Sequence, residues 1–260
     1  MSTYRESKVM TALADLSGKT VLVTGGSRGL GLGMAKALAD AGARLLLTAR
    51  SAAAADAAAR QLGSTAIGLP FEASGGQAAI ERFAQEAWER TGGIDVLFNN
   101  AGSVVMKPAL DTVEQDWSEL VATNLSGLYW SCQSFGRRML DRGHGKIINV
   151  ASDIGIRGEA MWSAYAATKG AVVALSKSLA WEWAPAVTVN IIAPGPFDTE
   201  ANAPAFKMPE VIKAVKERVP LGIVGDAEAH LGPLAVLLAG PGSDFMTGAI
   251  FRVDGGICRS

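Results

Sequence analysis

The stretch Thr20-Val21-Leu22-Val23-Thr24-Gly25-Gly26-Ser27-Arg28-Gly29-Leu30-Gly31 decides the fold. Its first half is apolar or β-branched on successive positions, the pattern of a strand buried on both faces of a parallel sheet. Three glycines follow, and then Leu30, Met34, Ala37, Leu38 and Ala41 recur at helical spacing. Strand, glycine turn and amphipathic helix form the first half of a β-α-β unit.

Outward from it, the same alternation repeats. Short apolar runs at Arg44–Thr48, Thr65–Leu69, Ile94–Asn99, Lys146–Val150, Val187–Ile192 and Ala249–Val253 read as further strands. Crossover helices are expected at Leu30–Ala41, Ser51–Leu62, Gln77–Arg90, Val113–Leu140, Ser163–Trp183 and Asp226–Leu238. The expected fold is α/β, a single-domain, Rossmann-like, doubly wound parallel sheet of about seven strands with helices on both faces. No low-complexity linker divides the 260 residues. Residues 1–15 read as an N-terminal extension and 16–260 as one domain. The proline-rich stretch at about 195–222, with a helix around Glu210–Glu217, reads as a lid over a substrate.

The glycine turn has a physical purpose. One glycine lets the chain turn sharply, another lets the backbone approach a diphosphate, and the third permits close helix–strand packing. The helix N-terminus then aims free N–H groups at the phosphates. Where the second strand ends, no Asp or Glu occurs between Ala41 and Ala55 to accept hydrogen bonds from an adenosine ribose. Arg50 stands there instead, with Arg28 in the turn, and a guanidinium matches a 2′-phosphate. The expected cofactor is NADP(H) in preference to NAD(H).

Ser152 lies just past the fifth strand, and Tyr165 and Lys169 follow at i,i+4 on one helix face. A phenol titrates near pH ~10, and a neighbouring ammonium is expected to lower that value toward the working range. Ser152 would hold a substrate oxygen beside the phenol. Such a trio suits proton transfer to or from a carbonyl or alcohol.

These pieces resemble the short-chain dehydrogenase/reductase family. The matching runs are Thr24–Gly31, Asn99–Gly102, Asn124 in Ala122–Leu125, Ser152, Tyr165–Lys169, Pro194–Thr199, Thr247-Gly248 and Val253–Gly256, in family order. The resemblance implies Tyr165 as general acid or base, Lys169 as its partner and a ribose ligand, Ser152 as the carbonyl-orienting group, and Asn124 as the holder of a relay water. It also implies a cofactor site of Gly25, Ser27, Arg28, Gly29, Leu30, Gly31 and Arg50. Asn99, Asn100, Ala101 and Gly102 would lie on its adenosine side, and Pro194, Gly195, Phe197 and Thr199 would bracket the nicotinamide. Where the family often has an adenine-binding Asp, this chain has Glu72 and Ala73. Arg28–Ala35 and the closing region are most similar to gluconate 5-dehydrogenase-type members, which points to a small polar substrate such as a sugar acid or polyol. The alternative is a 3-oxoacyl-acyl-carrier-protein reductase. A non-catalytic cofactor-sensing regulator would be expected to lose the acid/base pair.

Other classes find no footing. A net charge of −1 offers nothing to nucleic acid or an anionic membrane. Cys132 and Cys258 stand far apart, His144 and His230 have no partner at metal-ligand spacing, and no apolar run approaches the roughly 18 residues of a membrane span. A cytoplasmic protein without a metal is expected. The resemblance implies a homotetramer, or next a dimer, joined through helices on which Leu175, Leu179, Trp181 and Trp183 face a neighbour. Trp162 is expected near the substrate.

Overall fold

The computed structural model describes residues 15–199 and 208–258, so residues 1–14 of the N-terminal extension and part of the lid lie outside the described residues. Seven parallel strands form one sheet: β1 (Thr20–Val23), β2 (Arg44–Ala49), β3 (Ile67–Pro70), β4 (Val96–Asn99), β5 (Gly145–Val150), β6 (Val187–Pro194) and β7 (Ile250–Val253). Their order is 3-2-1-4-5-6-7, the doubly wound arrangement in which the winding reverses between β1 and β4. Central strands are buried at nearly every position, as their apolar runs require, while the edge strands β3 and β7 are only partly covered. β3 and β4 begin two residues later than the apolar pattern suggests. Thr65 falls in a turn before β3. Asp95 precedes β4 and accepts a hydrogen bond from Thr20 N through its side chain (2.8 Å).

The helices are α1 (Gly29–Asp40), α2 (Ala52–Gln61), α3 (Gly76–Thr91), α4 (Glu114–Leu120), α5 (Gly127–Arg142), α6 (Ile154–Arg157), α7 (Ser163–Trp183), α8 (Pro209–Arg218) and α9 (Gly232–Ala239). They bury two apolar clusters, one on each face of the sheet. Leu22, Leu97, Phe135, Ile147 and Val172 belong to one, and Val23, Met34, Leu38, Phe98 and Ile192 to the other. Apolar burial at roughly 25 cal/mol per Å2 makes these clusters the main stabilising term.

The segment expected as one helix, Val113–Leu140, is α4, a π turn at Val121–Ser126, and α5. A second π turn, Ala227–Leu231, precedes α9. Side-chain periodicity does not register the single extra residue of a π turn, so the sequence pattern runs through both. The expected subunit surface also changes. Leu179 and Trp183 are buried in the protomer, with the Trp183 ring lying on Gly136, and Leu175 is half-buried; Trp181 alone of the four stands out, 89% exposed.

Gly127, which opens α5, fixes how that helix meets the loop after β3. A Cβ there would lie 2.0 Å from the Ala73 carbonyl oxygen, a backbone atom that cannot step aside. Gly127→Ala is therefore expected to destabilise the fold by about 1–3 kcal/mol. Ala53→Ser on the exposed side of α2 should change stability little. Urea unfolding of both variants checks this, and equal midpoints would count against the packing argument.

Candidate active site

The reversal between β1 and β4 opens a crevice at the carboxyl edge of the sheet, the usual ligand position of such folds. Two loops meet there. The Asn100 side chain donates to the Thr24 carbonyl (3.0 Å) and the Gly25 carbonyl (3.1 Å). In return the Thr24 hydroxyl accepts from the backbone N–H groups of Asn100 (3.0 Å) and Ala101 (3.1 Å). From the other side, Thr48 at the end of β2 accepts from Gly25 N (3.0 Å). The sequence reading gives no role to Thr24, just past β1 in the matched run, or to Thr48 on β2; a polar residue at the end of a buried apolar run is the available signal.

The turn fits a dinucleotide diphosphate. Gly25 and Gly29 have φ of +62° and +53°, where a side chain would be strained. A Cβ on Gly31 would lie 2.4 Å from the Gly25 carbonyl oxygen. Helix α1 starts with neither a side-chain cap nor an acidic residue in its first turn, leaving its N–H groups open to an anion. Ser27 and Leu30 are half-buried in the turn. Arg28 and Arg50 are exposed and make no ion pair among the described residues. Glu72 is exposed and accepts from the backbone and hydroxyl of Ser74, while Ala73 is buried against Gly127.

Asn99 is placed differently from the other residues of its run. Its buried amide donates to Asn149 Oδ1 (2.9 Å) and accepts from the Ser131 hydroxyl (2.7 Å), and Asn149 in turn donates to Ser176 (2.9 Å). This ladder joins β4, β5, α5 and α7 through the core, so the Asn99 side chain does not line the crevice. Phe197 is a similar correction. Its ring is buried against Gly225, where a Cβ would meet it at 2.6 Å, and belongs to the apolar cluster of Met34 and Ile192. Pro194 ends β6, Gly195 N donates to the Val253 carbonyl (2.9 Å), and Thr199 reaches back to within 3.5 Å of a Cβ built on Gly29.

Ser152, Tyr165, Lys169 and Asn124 converge on the neighbouring part of the edge. The Asn124 side chain, fully buried in the π turn, clamps Ser103 by accepting from its N–H (2.8 Å) and donating to its carbonyl (2.9 Å). Gly102 lies between: a Cβ on it would stand 3.2 Å from Asn124 Oδ1 and 3.6 Å from Lys169 Nζ. Lys169 is 4% exposed and donates to the Val150 carbonyl (2.8 Å), while its Nζ stands 5.8 Å from the centre of the Tyr165 ring. Trp162 packs edge-on against Tyr165 (5.6 Å), and the preceding Met161 has φ of +73°, a strained conformation for a residue with a side chain.

Electrostatics depart from the expected lowering of Tyr165. Burial pushes its hydroxyl up to about 12; a hydrogen bond from Ser152 opposes this and the Asp153 charge adds to it. Burial likewise pushes Lys169 down to about 8. The physical reason is that Lys169 is buried and Tyr165 half-buried, and the ammonium is bonded to a backbone carbonyl, not to the phenol. Asp153, Arg157 and Glu159, which sequence reading passed over, form a chain of ion pairs beside Ser152. The i,i+4 spacing of Asp153 and Arg157 was the signal for it. Among the described residues no group of three or more His, Cys, Asp or Glu is placed to hold a metal ion, and no helix is long and apolar enough to cross a membrane.

Comparison with known proteins agrees with this geometry. The short chain dehydrogenase family profile matches residues 19–210. The chain is 40% identical to a 2-dehydro-3-deoxy-D-gluconate 5-dehydrogenase of Bacillus subtilis, over 93% of this chain and 95% of that one. It is 34% identical to a 3-oxoacyl-acyl-carrier-protein reductase of Vibrio cholerae, over 94% and 98%. Among solved structures, a gluconate 5-dehydrogenase from Burkholderia cenocepacia in complex with NADP and tartrate superposes with a TM-score of 0.91 at 35% identity, covering 95% of this chain and 98% of that one.

The two groups give opposite pH signatures. From pH ~8 to ~10 the folded chain has lost the Lys169 proton while the unfolded chain keeps it, so stability rises with pH. Above pH ~10 the unfolded chain loses the Tyr165 proton first, so stability falls. Lys169→Met should abolish the rise, which is worth on the order of 3 kcal/mol at most. Urea unfolding of both proteins between pH ~7 and ~9.5 reads the difference, and identical slopes would refute a strained ammonium.

Proposed function

The chain belongs to the short chain dehydrogenase family and is an oxidoreductase acting on CH–OH groups, and on that premise we propose that it moves a hydride between NADP(H) and a small polar carbonyl or secondary alcohol, such as a sugar acid or polyol. The observation that carries the reaction is the convergence of Ser152, Tyr165 and Lys169 beside a glycine turn open to an anion. A bound nicotinamide supplies the hydride donor or acceptor. The chain's own residues orient the substrate and handle the proton. Ser152 orients the substrate oxygen, and Tyr165 gives that oxygen its proton in reduction or takes it back in oxidation. With its hydroxyl held near 12, Tyr165 enters the cycle as an acid, the form that reduction needs. Lys169 supplies a buried positive charge beneath the ring, and Asn124 holds the Ser103 backbone in place beside it.

NADP(H) preference is supported by the exposed Arg28 and Arg50, which make no ion pair among the described residues, and by the lack of an acid between Ala41 and Ala55. The bound NADP of the gluconate 5-dehydrogenase structure is in keeping with it. The sugar-acid reading is favoured over the acyl-carrier reading by the higher identity to the 2-dehydro-3-deoxy-D-gluconate 5-dehydrogenase, 40% against 34% for the acyl-carrier-protein reductase. A homotetramer is proposed as well, on the exposed Leu110, Val113, Trp117, Tyr129 and Trp181. Two buried, unpaired cysteines suit a reducing compartment such as the cytosol.

Purified protein with NADPH should reduce 5-ketogluconate and leave an acetoacetyl thioester largely untouched; the reverse preference would replace the sugar-acid reading. Tyr165→Phe is expected to lower turnover roughly 10^2–10^4-fold while NADPH binding, read by fluorescence titration, holds. Undiminished turnover would remove Tyr165 from the chemistry. Arg50→Ala should weaken NADPH binding roughly tenfold and leave NADH binding unchanged. Equal losses for the two cofactors would defeat the 2′-phosphate argument.

A further inference from the structure

A short stretch after β4 leads from the reacting groups to the surface, and its exposed side chains are apolar. Gly102 lies at the site end, where a Cβ on it would stand 3.6 Å from Lys169 Nζ. The next residue, Ser103, is clamped by Asn124. At the other end Lys107 N donates to the Met161 carbonyl (2.8 Å). From Ser103 to Lys107 an extended chain covers at most about 14 Å, so the stretch cannot leave the site. Val104 and Met106 are 46% and 59% exposed, while Val105 and Lys107 are half-buried. Exposure on alternate residues turns the first two outward together.

The second anchor extends this surface to the phenol. Met161 is 43% exposed and held at φ of +73°. A side chain in that conformation is kept there by its surroundings, and such residues gather at ligand clamps. Trp162 follows, half-buried, with its ring 5.6 Å from that of Tyr165. Charge stops at the borders. Lys107 pairs with Asp116 on one side. On the other, Glu159 accepts from Arg157, and from Arg218 of α8 at 2.5 Å. Between these ion pairs the rim presents two thioethers, a valine and an indole.

We propose that this rim gives the site a second activity, the reduction of ketones that carry an aryl substituent and the oxidation of the matching secondary alcohols, with the ring seated on Val104, Met106, Met161 and Trp162. The inference rests on Ser152 and Tyr165 being the reacting pair. A carbonyl oxygen held by those two groups leaves a substituent to lie along the rim, because Trp162 touches the phenol and Gly102 borders Lys169. Indole packs on aromatic rings edge-on or offset, and thioethers are polarizable and adapt to a ring's outline. A ring placed there is taken out of water. The carbonyl carbon gains a hydride from the reduced nicotinamide, forming a C–H bond as the C=O π bond breaks. The oxygen gains the Tyr165 proton, the nicotinamide ends oxidised, and water returns a proton to Tyr165.

Methionine methyl resonances read the rim without turnover. The chain has eight methionines, and the Met106 and Met161 signals are identified by their loss in Met106→Leu and Met161→Leu. In protein labelled at these methyls and held with NADP+, phenylacetone should shift both signals through its ring current. Acetone, the same ketone without the ring, should leave them in place. With NADPH, kcat/KM for phenylacetone should exceed that for acetone at least about tenfold. Met106→Ser should lower the kcat/KM ratio of phenylacetone to 5-ketogluconate about tenfold, with Met161→Ser as the second variant should the first unfold. Methyl signals that stay in place, as they would if a second copy or another part of the chain covered the rim, would overturn the proposal. Turnover of phenylacetone no faster than of acetone, or an unchanged ratio in a folded serine variant, would do the same. Failure of the catalytic reading looks different: Tyr165→Phe would then keep turnover of both ketones while the methyl signals still move.

Discussion

The carboxyl edge of the sheet depends on the reciprocal hydrogen bonds between Asn100 and Thr24. β1 and β4 are neighbours in space but lie more than seventy residues apart in sequence, and their following loops diverge to opposite faces. Without a clasp, the glycine turn would be free to close on itself. Asn100 occupies both the Thr24 and the Gly25 carbonyls, and the Thr24 hydroxyl satisfies two N–H groups of the other loop. One amide and one hydroxyl thus hold open the place where a diphosphate can approach backbone N–H groups. Gly31 is bound up in the same clasp, since any side chain there would strike both the Gly25 carbonyl and the Asn100 amide.

A second polar constraint carries that geometry to the proton-handling side. The ladder Ser131–Asn99–Asn149–Ser176 crosses β4 and β5 inside an apolar cluster. Its partners are satisfied, which makes it a specifying feature and not merely a desolvation cost. It fixes α5 and α7 to the strands whose ends bear Asn100 and Ser152. Asn124 in the π turn then joins α7 to the loop after β4, through Thr168 (3.3 Å) on one side and Ser103 on the other. Tyr165 and Lys169 are thereby placed by contacts that approach them from three elements.

What could be read in the sequence follows from where the physics is local. Parallel strands buried on both faces show as continuous apolar runs, so all seven were visible, and the glycine turn was visible because its residues are consecutive. The i,i+4 pair on α7 was visible for the same reason. The π turns were not, because one additional residue leaves an apolar pattern almost unchanged. Asn99 and Phe197 belonged to recognisable runs, but no run states which way a side chain points; one turned into the polar ladder and the other onto Gly225. The Asp153–Arg157–Glu159–Arg218 chain was hidden in its last link, which spans 59 residues. Its first link was present as a spacing with no apparent reason to matter.

The direction of the Tyr165 shift shows the limit most clearly. From sequence, an ammonium four residues away stabilises a phenolate, and that argument assumes that charge outweighs burial. In the folded chain the order is reversed: desolvation is the largest influence on both groups and drives each toward its neutral form. A neutral phenol beside a lysine poised near 8 is a costly arrangement for stability, and Met161 at positive φ adds strain four residues before Tyr165. The apolar clusters on both faces of the sheet offset those costs. A chain selected for stability alone would gain by replacing Lys169 with an apolar residue; its retention under burial makes sense if the site needs a charge that responds to what binds above it.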